Sequence, residues 1–345
     1  MPANKTTLYL FIILFFSFAF FVVFDLALGY FLIRQEGIRI PHHYYHHCLR
    51  PMTESEAVWG NNTYIIRTNS LGFKDADMRC VELKTDMRRT LFMGDSFTEG
   101  IGYDFEETFV GLLSQRTKDH IEILNAGVVS YSPKTYYLKT EYLIKKGLEF
   151  DEIVIMLDIS DIQDEIIYEY FTPSEKPDYL KKIDIRLSNY SYSYRHLFRN
   201  ILKRLLSSDN ETDISEIFQG TLPDRGSWSY DDEVFHDWGK RGLALAGLNM
   251  ENLIALCKEK GIKPVIAVYP WPAQIMNDSS ESRQVVFWEQ FCKAEGIDFI
   301  NLFPYFFVED SHKTVVKYFI EGDDHWNAKG HKYIAELLFE KWFEK

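Results

Sequence analysis

Two short phrases, far apart in the chain, carry the residue types of nucleophilic catalysis. Leu91-Phe92-Met93-Gly94-Asp95-Ser96 puts a serine directly after an apolar run, and Asp323-Asp324-His325-Trp326-Asn327 puts a histidine beside two carboxylates. A serine hydroxyl attacks well only when a neighbouring base takes its proton, and an imidazole serves as that base when a carboxylate fixes its tautomer and steadies the imidazolium. Ser96 is therefore the candidate nucleophile, His325 the candidate base and Asp323 the candidate orienting acid. Spacing alone leaves Asp324 open as the alternative acid. Asn327 reads as the cap of a following helix, and His331 as a residue packed behind the site.

Other titratable groups read less as chemistry. Asp158, Asp161 and Asp164 have the makings of a metal site or a glycosidase pair, but a solvated loop edge accounts for them equally well. The pairs His42/His46 and His43/His47 have helical metal-ligand spacing, yet their place just after an apolar N-terminal segment favours a solvated stalk. No cofactor and no metal are expected.

The elements that must position these residues follow from hydrophobic pattern. From Arg89 onward short apolar runs alternate with helical periodicity, which marks a parallel sheet covered by helices. The strands are expected at Thr90–Met93, Ile121–Asn125, Ile153–Leu157, Pro264–Tyr269 and Phe299–Leu302, and helices at Thr135–Lys146, Ala244–Lys260, Val285–Ala294 and from Ala328 to the end. The last carries Ile334, Leu337, Leu338 and Trp342 on one face. The fold class is α/β, a three-layer α/β/α domain over residues 88–345 with about five parallel strands. Open sheets of this kind carry their sites at the carboxyl ends of the strands, where Ser96 falls. The phrase Tyr269 to Gln274 falls on the same edge and is expected to line the cleft. The interval 163–237 is too long for a simple crossover and reads as an inserted cap. Its aromatics, such as Tyr190, Tyr192, Tyr194, Trp228 and Trp238, suit either sugar stacking or a small satellite core.

At the amino end, Leu8 to Phe24 holds no charge, and after Asp25 the apolar run continues through Ile33. About 20 apolar residues span a hydrocarbon core of ~30 Å, so residues 1–33 read as a short tip and a single membrane anchor. A cleaved signal peptide, with Ala27-Leu28-Gly29 as its cleavage site, is the rival. Lys5 on one side and Arg34, Arg39 and Arg50 on the other leave orientation open. Residues 34–87 read as a stalk and lead-in, and a Cys48–Cys80 bridge is expected to tie it to the domain. The net charge of −13 over 345 residues argues against a nucleic-acid partner, whose phosphates it would repel.

Taken together, the Gly-Asp-Ser phrase, Leu124-Asn125-Ala126-Gly127 and the terminal Asp-x-His resemble the SGNH (GDSL-like) hydrolase superfamily from about Thr68 onward. The resemblance implies that Ser96 is the nucleophile and His325 the base, with Gly127 as an oxyanion-hole donor. The acid usual in the family lies three residues before the histidine, where this chain has Gly322, so the role passes to Asp323. That spacing looks like the variant found in members that acetylate or deacetylate bacterial polysaccharides, alginate acetylation proteins among them. Ser160 stands where the family places its oxyanion asparagine, with one donor in place of an amide's two. The resemblance implies a serine-dependent hydrolase of an acyl ester, acetyl and carbohydrate-linked, held outside the cytoplasm by its membrane helix. The alternatives are an O-acyltransferase acting on an extracytoplasmic polysaccharide and a non-catalytic glycan-binding protein on the same fold.

Overall fold

The computed structural model describes residues 5–32, 37–175, 190–198 and 225–344, with positions 183, 187 and 201 between them. They divide into two compact units, one of Met1–Ile38 with Ser174–Thr212, the other of Arg39–Pro173 with Asp213–Lys345. Most of the interval read as an inserted cap, 176–224, lies outside the described residues apart from the positions just given.

The first unit contains helix α1 (Lys5–Leu32). Its stretch Leu8–Gly29 has a mean hydropathy of 2.6 and is almost wholly exposed, so by length and composition it is able to cross a membrane.

The second unit is built on one sheet. Among the described residues its strands are β3 (Glu54–Trp59), β4 (Asn62–Thr68), β5 (Lys74–Asp75), β6 (Arg88–Met93), β7 (Ile121–Asn125), β8 (Glu152–Leu157), β9 (Lys263–Val268) and β10 (Asp298–Asn301), in the order β10-β9-β8-β6-β7-β5-β4-β3. A small separate hairpin, β1 (Arg39–His42) and β2 (His46–Leu49), precedes them. The five strands from β6 onward are parallel, as the apolar runs imply. Central β6 has Leu91, Phe92 and Met93 at 0% exposure; a strand covered on both faces reads as a continuous apolar run rather than an alternating one.

The helices joining these strands are α3 (Phe109–Thr117), α4 (Pro133–Lys145), α5 (Asp161–Ile167), α6 (Lys240–Lys260), α7 (Pro272–Asn277) and α8 (Arg283–Glu295). Preceding α3 is the single turn α2 (Ser96–Glu99); after β10 come α9 (Ser311–Tyr318) and α10 (Ala328–Leu338). From β6 the chain moves one way in the sheet to β7, then back across β6 to β8. Right-handed crossovers in opposite directions place their helices on opposite faces, so α3 covers one face and α4 the other. In agreement, α10 packs on α3, and α6 packs on α4 and α5. The result is three layers.

Of the segment read as a stalk, residues 54–75 are instead part of the sheet. β3 and β4 form an antiparallel hairpin in which Trp59 faces Asn62 across Gly60 and Asn61, with Gly60 at φ +56°. Two-residue turns with a positive φ match the twist of paired strands. β5 then links this hairpin antiparallel to β7, so three antiparallel strands extend the five parallel ones. Of the histidines of this region His42 and His43 are half-buried, whereas His46 and His47 are buried, and the His47 Nε2 lies 2.8 Å from the Val129 carbonyl. The Cys48–Cys80 bridge is absent, with Cys48 buried and Cys80 exposed as free thiols.

Candidate active site

β6 ends at Met93, and the chain turns sharply through Gly94 and Asp95 into α2, whose first residue is Ser96. A Cβ at Gly94 would overlap the Thr98 side chain, so the turn requires glycine for this close approach. The Asp95 carboxylate caps α2 by accepting the Phe97 N–H at 3.0 Å. Ser96 is 7% exposed, deeper than the open strand edge its position suggests.

The histidine arrives on a different element. Residues 319–327 form a tight reversal in which Phe319 and Trp326 pair, Ile320 N–H donates to the His325 carbonyl and Asp323 N–H donates to that of Ile320. Gly322 adopts φ +73° within it, a left-handed conformation that a carboxylate-bearing residue takes up only at a cost. Asn327 caps α10, accepting from the Lys329 and Gly330 N–H groups.

The structure brings Ser96, His325 and Asp323 together. His325 Nε2 lies 2.8 Å from Ser96 Oγ, and its Nδ1 lies 2.5 Å from Asp323 Oδ1, which also accepts the His325 backbone N–H at 2.9 Å. Burial alone would raise the Asp323 carboxyl; the hydrogen bonds and charge of His325, with the Trp59 indole, hold it below the usual carboxylate range. Asp324 has no such partner and is pushed up, first by burial, against the pull of His325. The geometry thus selects Asp323 over Asp324. Phe97 packs on the imidazole at a ring distance of 4.7 Å.

Trp59, which sequence reasoning passed over, completes this group. Its Nε1 donates to Asp323 Oδ2 at 2.9 Å, and its ring meets His325 edge-on at 5.3 Å. The signal was present in two strand-forming runs, Ala57-Val58-Trp59 and Tyr64-Ile65-Ile66, on either side of a Gly-Asn turn, which is a hairpin pattern. Trp59→Phe keeps the ring contact and removes the donor. Hydrogen bonds to a charged group contribute ~1.5–3 kcal/mol, so kcat/KM is expected to fall about 10- to 100-fold, and the acid limb of its pH profile to move upward as Asp323 binds a proton more readily. A pH–rate series on the purified variant measures both.

Neither expected oxyanion donor is free. Gly127 N–H donates to the Asn125 side chain at 3.1 Å, and a Cβ there would crowd Thr98 and the Glu99 N–H at 2.7 Å. The Ser160 hydroxyl donates to Asp158 Oδ1 at 2.8 Å, with its backbone N–H on the same oxygen at 2.7 Å. Ser160 is fully buried at the start of α5, closing a turn on Asp158. Ser160→Ala is therefore expected to change turnover less than about threefold, against ~10²–10³ for a true oxyanion donor; steady-state turnover of a simple acetyl ester decides it. What Gly127 does is let its loop lie on the nucleophile turn, where Val128 N–H donates to the Gly94 carbonyl and Val129 N–H to buried Glu99. The Ser96 N–H, first in α2, makes no hydrogen bond to any described residue.

The three carboxylates read as a loop edge are buried. Asp158 takes the Trp271 indole N–H at 2.7 Å, Asp161 the Tyr136 hydroxyl at 2.6 Å, and Asp164 the Arg225 guanidinium at 2.7 Å. Among the described residues no group of three His, Cys, Asp or Glu is placed to hold a metal ion. Burial, then the charge of Asp158, pushes Asp95 and Asp161 well above the usual carboxylate range. Ser96 Oγ lies 3.2 Å from Asp95 Oδ2 as well as 2.8 Å from His325 Nε2. Of the Tyr269 to Gln274 phrase, Tyr269 and Trp271 are buried against Asp95 and Asp158, packing behind the serine. Trp228 and Trp238 are buried as well, Trp228 donating to the Ile159 carbonyl, which fits the satellite-core reading.

No protein-family model and no curated protein matches the sequence. Among solved structures, a member of the lipolytic protein G-D-S-L family from Veillonella parvula is 12% identical, covers 75% of this chain and 100% of its own, and superposes with a TM-score of 0.41. Esterase EstA from Pseudoalteromonas sp. gives 12%, 75%, 100% and 0.41. An acetyl-xylooligosaccharide esterase from Geobacillus gives 10%, 75%, 95% and 0.40. Likenesses at this level assign no residue roles.

Proposed function

We propose that this chain is a serine-dependent ester hydrolase. The observation that supports this best is the continuous hydrogen-bonded series Ser96–His325–Asp323 at 2.8 and 2.5 Å, drawn from two sequence regions 229 residues apart. In the first step His325 Nε2 takes the Ser96 proton as Oγ attacks the ester carbonyl, and Asp323 stabilises the resulting imidazolium. The Ser96 N–H faces the developing oxyanion. His325 then returns the proton to the leaving alkoxide, giving an acyl-enzyme that water, activated by the same imidazole, hydrolyses.

For the substrate we favour an acetyl ester, carbohydrate-linked, on the strength of the Asp-x-His spacing that resembles polysaccharide-modifying enzymes. The acyl-enzyme is also able to pass its acyl group to a hydroxyl acceptor. Helix α1 serves as a membrane anchor in this reading, with the catalytic unit outside the cytoplasm. Purified full-length chain is expected to release acetate from an acetylated oligosaccharide faster than it moves acetyl to an added free oligosaccharide. Transfer exceeding release would make it an O-acyltransferase, and neither activity would leave a binding protein.

A further inference from the structure

We propose that residues 190–198, with Ile183, Leu187 and Ile201, form a second membrane-contacting element. It lies in the headgroup region of the bilayer that α1 crosses and binds anionic lipid. This rests on the reading of α1 as a membrane anchor.

Two sets of observations within the first unit carry it. The first is attachment to the end of the apolar span. Asp25 accepts the Ser191 hydroxyl at 2.5 Å and the Ser193 N–H at 2.6 Å, and Gly29 lies so close to the Tyr190 carbonyl that a Cβ there would overlap it. A carboxylate in an apolar span needs such partners, and Asp25 lies seven residues from the end of α1 at Leu32, about 10 Å along the axis. The segment that satisfies it is therefore held at the level where the span leaves the hydrocarbon.

The second is the surface this segment presents. Backbone bonds from Ser191 N–H to Leu187 and from Arg195 N–H to Ser191 give it helical spacing. Ile183, Leu187, Tyr190, Leu197, Phe198 and Ile201 are all exposed, between 41% and 62%. Large apolar side chains at helical spacing, left open next to a span, are what an interfacial element inserts among lipid headgroups. The sequence adds the charge: positions 176–204 carry eight Lys and Arg against two Asp, in a chain whose net charge is −13. Each cation near an anionic leaflet raises binding about fivefold. A basic, apolar-faced segment in an otherwise acidic protein is therefore matched to a negatively charged membrane surface and not to the protein's own surface.

The test uses the full-length chain in a Cys80→Ser background, since Cys80 is the exposed thiol and the other three are buried. A fluorophore is placed on Leu197→Cys, on Phe18→Cys within α1, and on Val308→Cys, which is 77% exposed in the other unit. Each protein is reconstituted into vesicles of phosphatidylcholine with phosphatidylglycerol. The label at 197 is expected to be shielded from aqueous iodide several-fold relative to that at 308, and to be quenched by lipids carrying a shallow nitroxide. Removing phosphatidylglycerol should open it to iodide. Quenching by iodide equal to that at 308, shielding from both quenchers, or indifference to phosphatidylglycerol would each overturn the proposal. The label at 18 separates the two readings: if it lies in lipid while 197 is in water, the anchor stands and this inference fails, whereas exposure of 18 to water removes the anchor itself.

Discussion

Ser96→Ala and His325→Ala are each expected to lower turnover of a simple acetyl ester by on the order of 10⁶-fold. The two groups share one proton transfer: without the hydroxyl there is no nucleophile, and without the imidazole 2.8 Å away the hydroxyl keeps its proton. The expected double variant is scarcely slower than either single one, because residues acting as a unit lose their effect together. Additive losses would show separate roles. Both variants are expected to fold. Ser96→Ala removes one oxygen and leaves the Asp95 cap on Phe97 N–H in place, and the His325 side chain is only partly buried in its loop. Circular dichroism and thermal melting of the same preparations check this before any rate is compared.

The second large effect belongs to the acid. Asp323→Asn is expected to cost about 10⁴-fold in kcat, as loss of the triad carboxylate does where the imidazole is left in the wrong tautomer and its cation unsupported. In this chain the residue at 323 faces three donors, with the His325 Nδ1 and backbone N–H on one oxygen and the Trp59 indole on the other. An amide has a single oxygen to accept with, so either the Trp59 contact is lost or the amide N–H group turns to His325, which costs the backbone N–H its acceptor and holds the imidazole in the wrong tautomer. Asp324→Asn is the control, expected within about threefold of the parent since Asp324 makes no hydrogen bond to His325 and acts on it only through its charge. Side-by-side kcat values for the two variants test the assignment. Equal losses would mean that the acid role is shared.

What could be read from the sequence follows from where each signal resides. The five parallel strands were legible because strands buried on both faces are written as unbroken apolar runs, and observed β6 to β10 lie within one or two residues of Thr90–Met93, Ile121–Asn125, Ile153–Leu157, Pro264–Tyr269 and Phe299–Leu302. Strands β3 to β5 were not, because their half-buried alternation is fainter and the apolar helix before them invites reading a stalk. With that hairpin went Trp59. That Ser96, His325 and Asp323 lie together was expected from residue type and order. The oxyanion residues were not legible, since a donor's availability depends on which acceptor it already has: Asn125 takes the Gly127 N–H and Asp158 takes Ser160, and neither pairing has a signature in the chain. Burial of Asp158, Asp161 and Asp164 was hidden for the same reason, their partners Trp271, Tyr136 and Arg225 lying far away in sequence.

The central claim is that the Ser96 hydroxyl is a nucleophile activated by His325. Treatment of the purified full-length chain with a fluorophosphonate, followed by peptide mass mapping, tests it most directly, because stoichiometric phosphonylation requires an activated serine and not merely an accessible one. The expected result is a single adduct on Ser96, absent from Ser96→Ala and slowed by orders of magnitude in His325→Ala. A folded protein that stays unlabelled, or one labelled as fast without His325, would contradict the account.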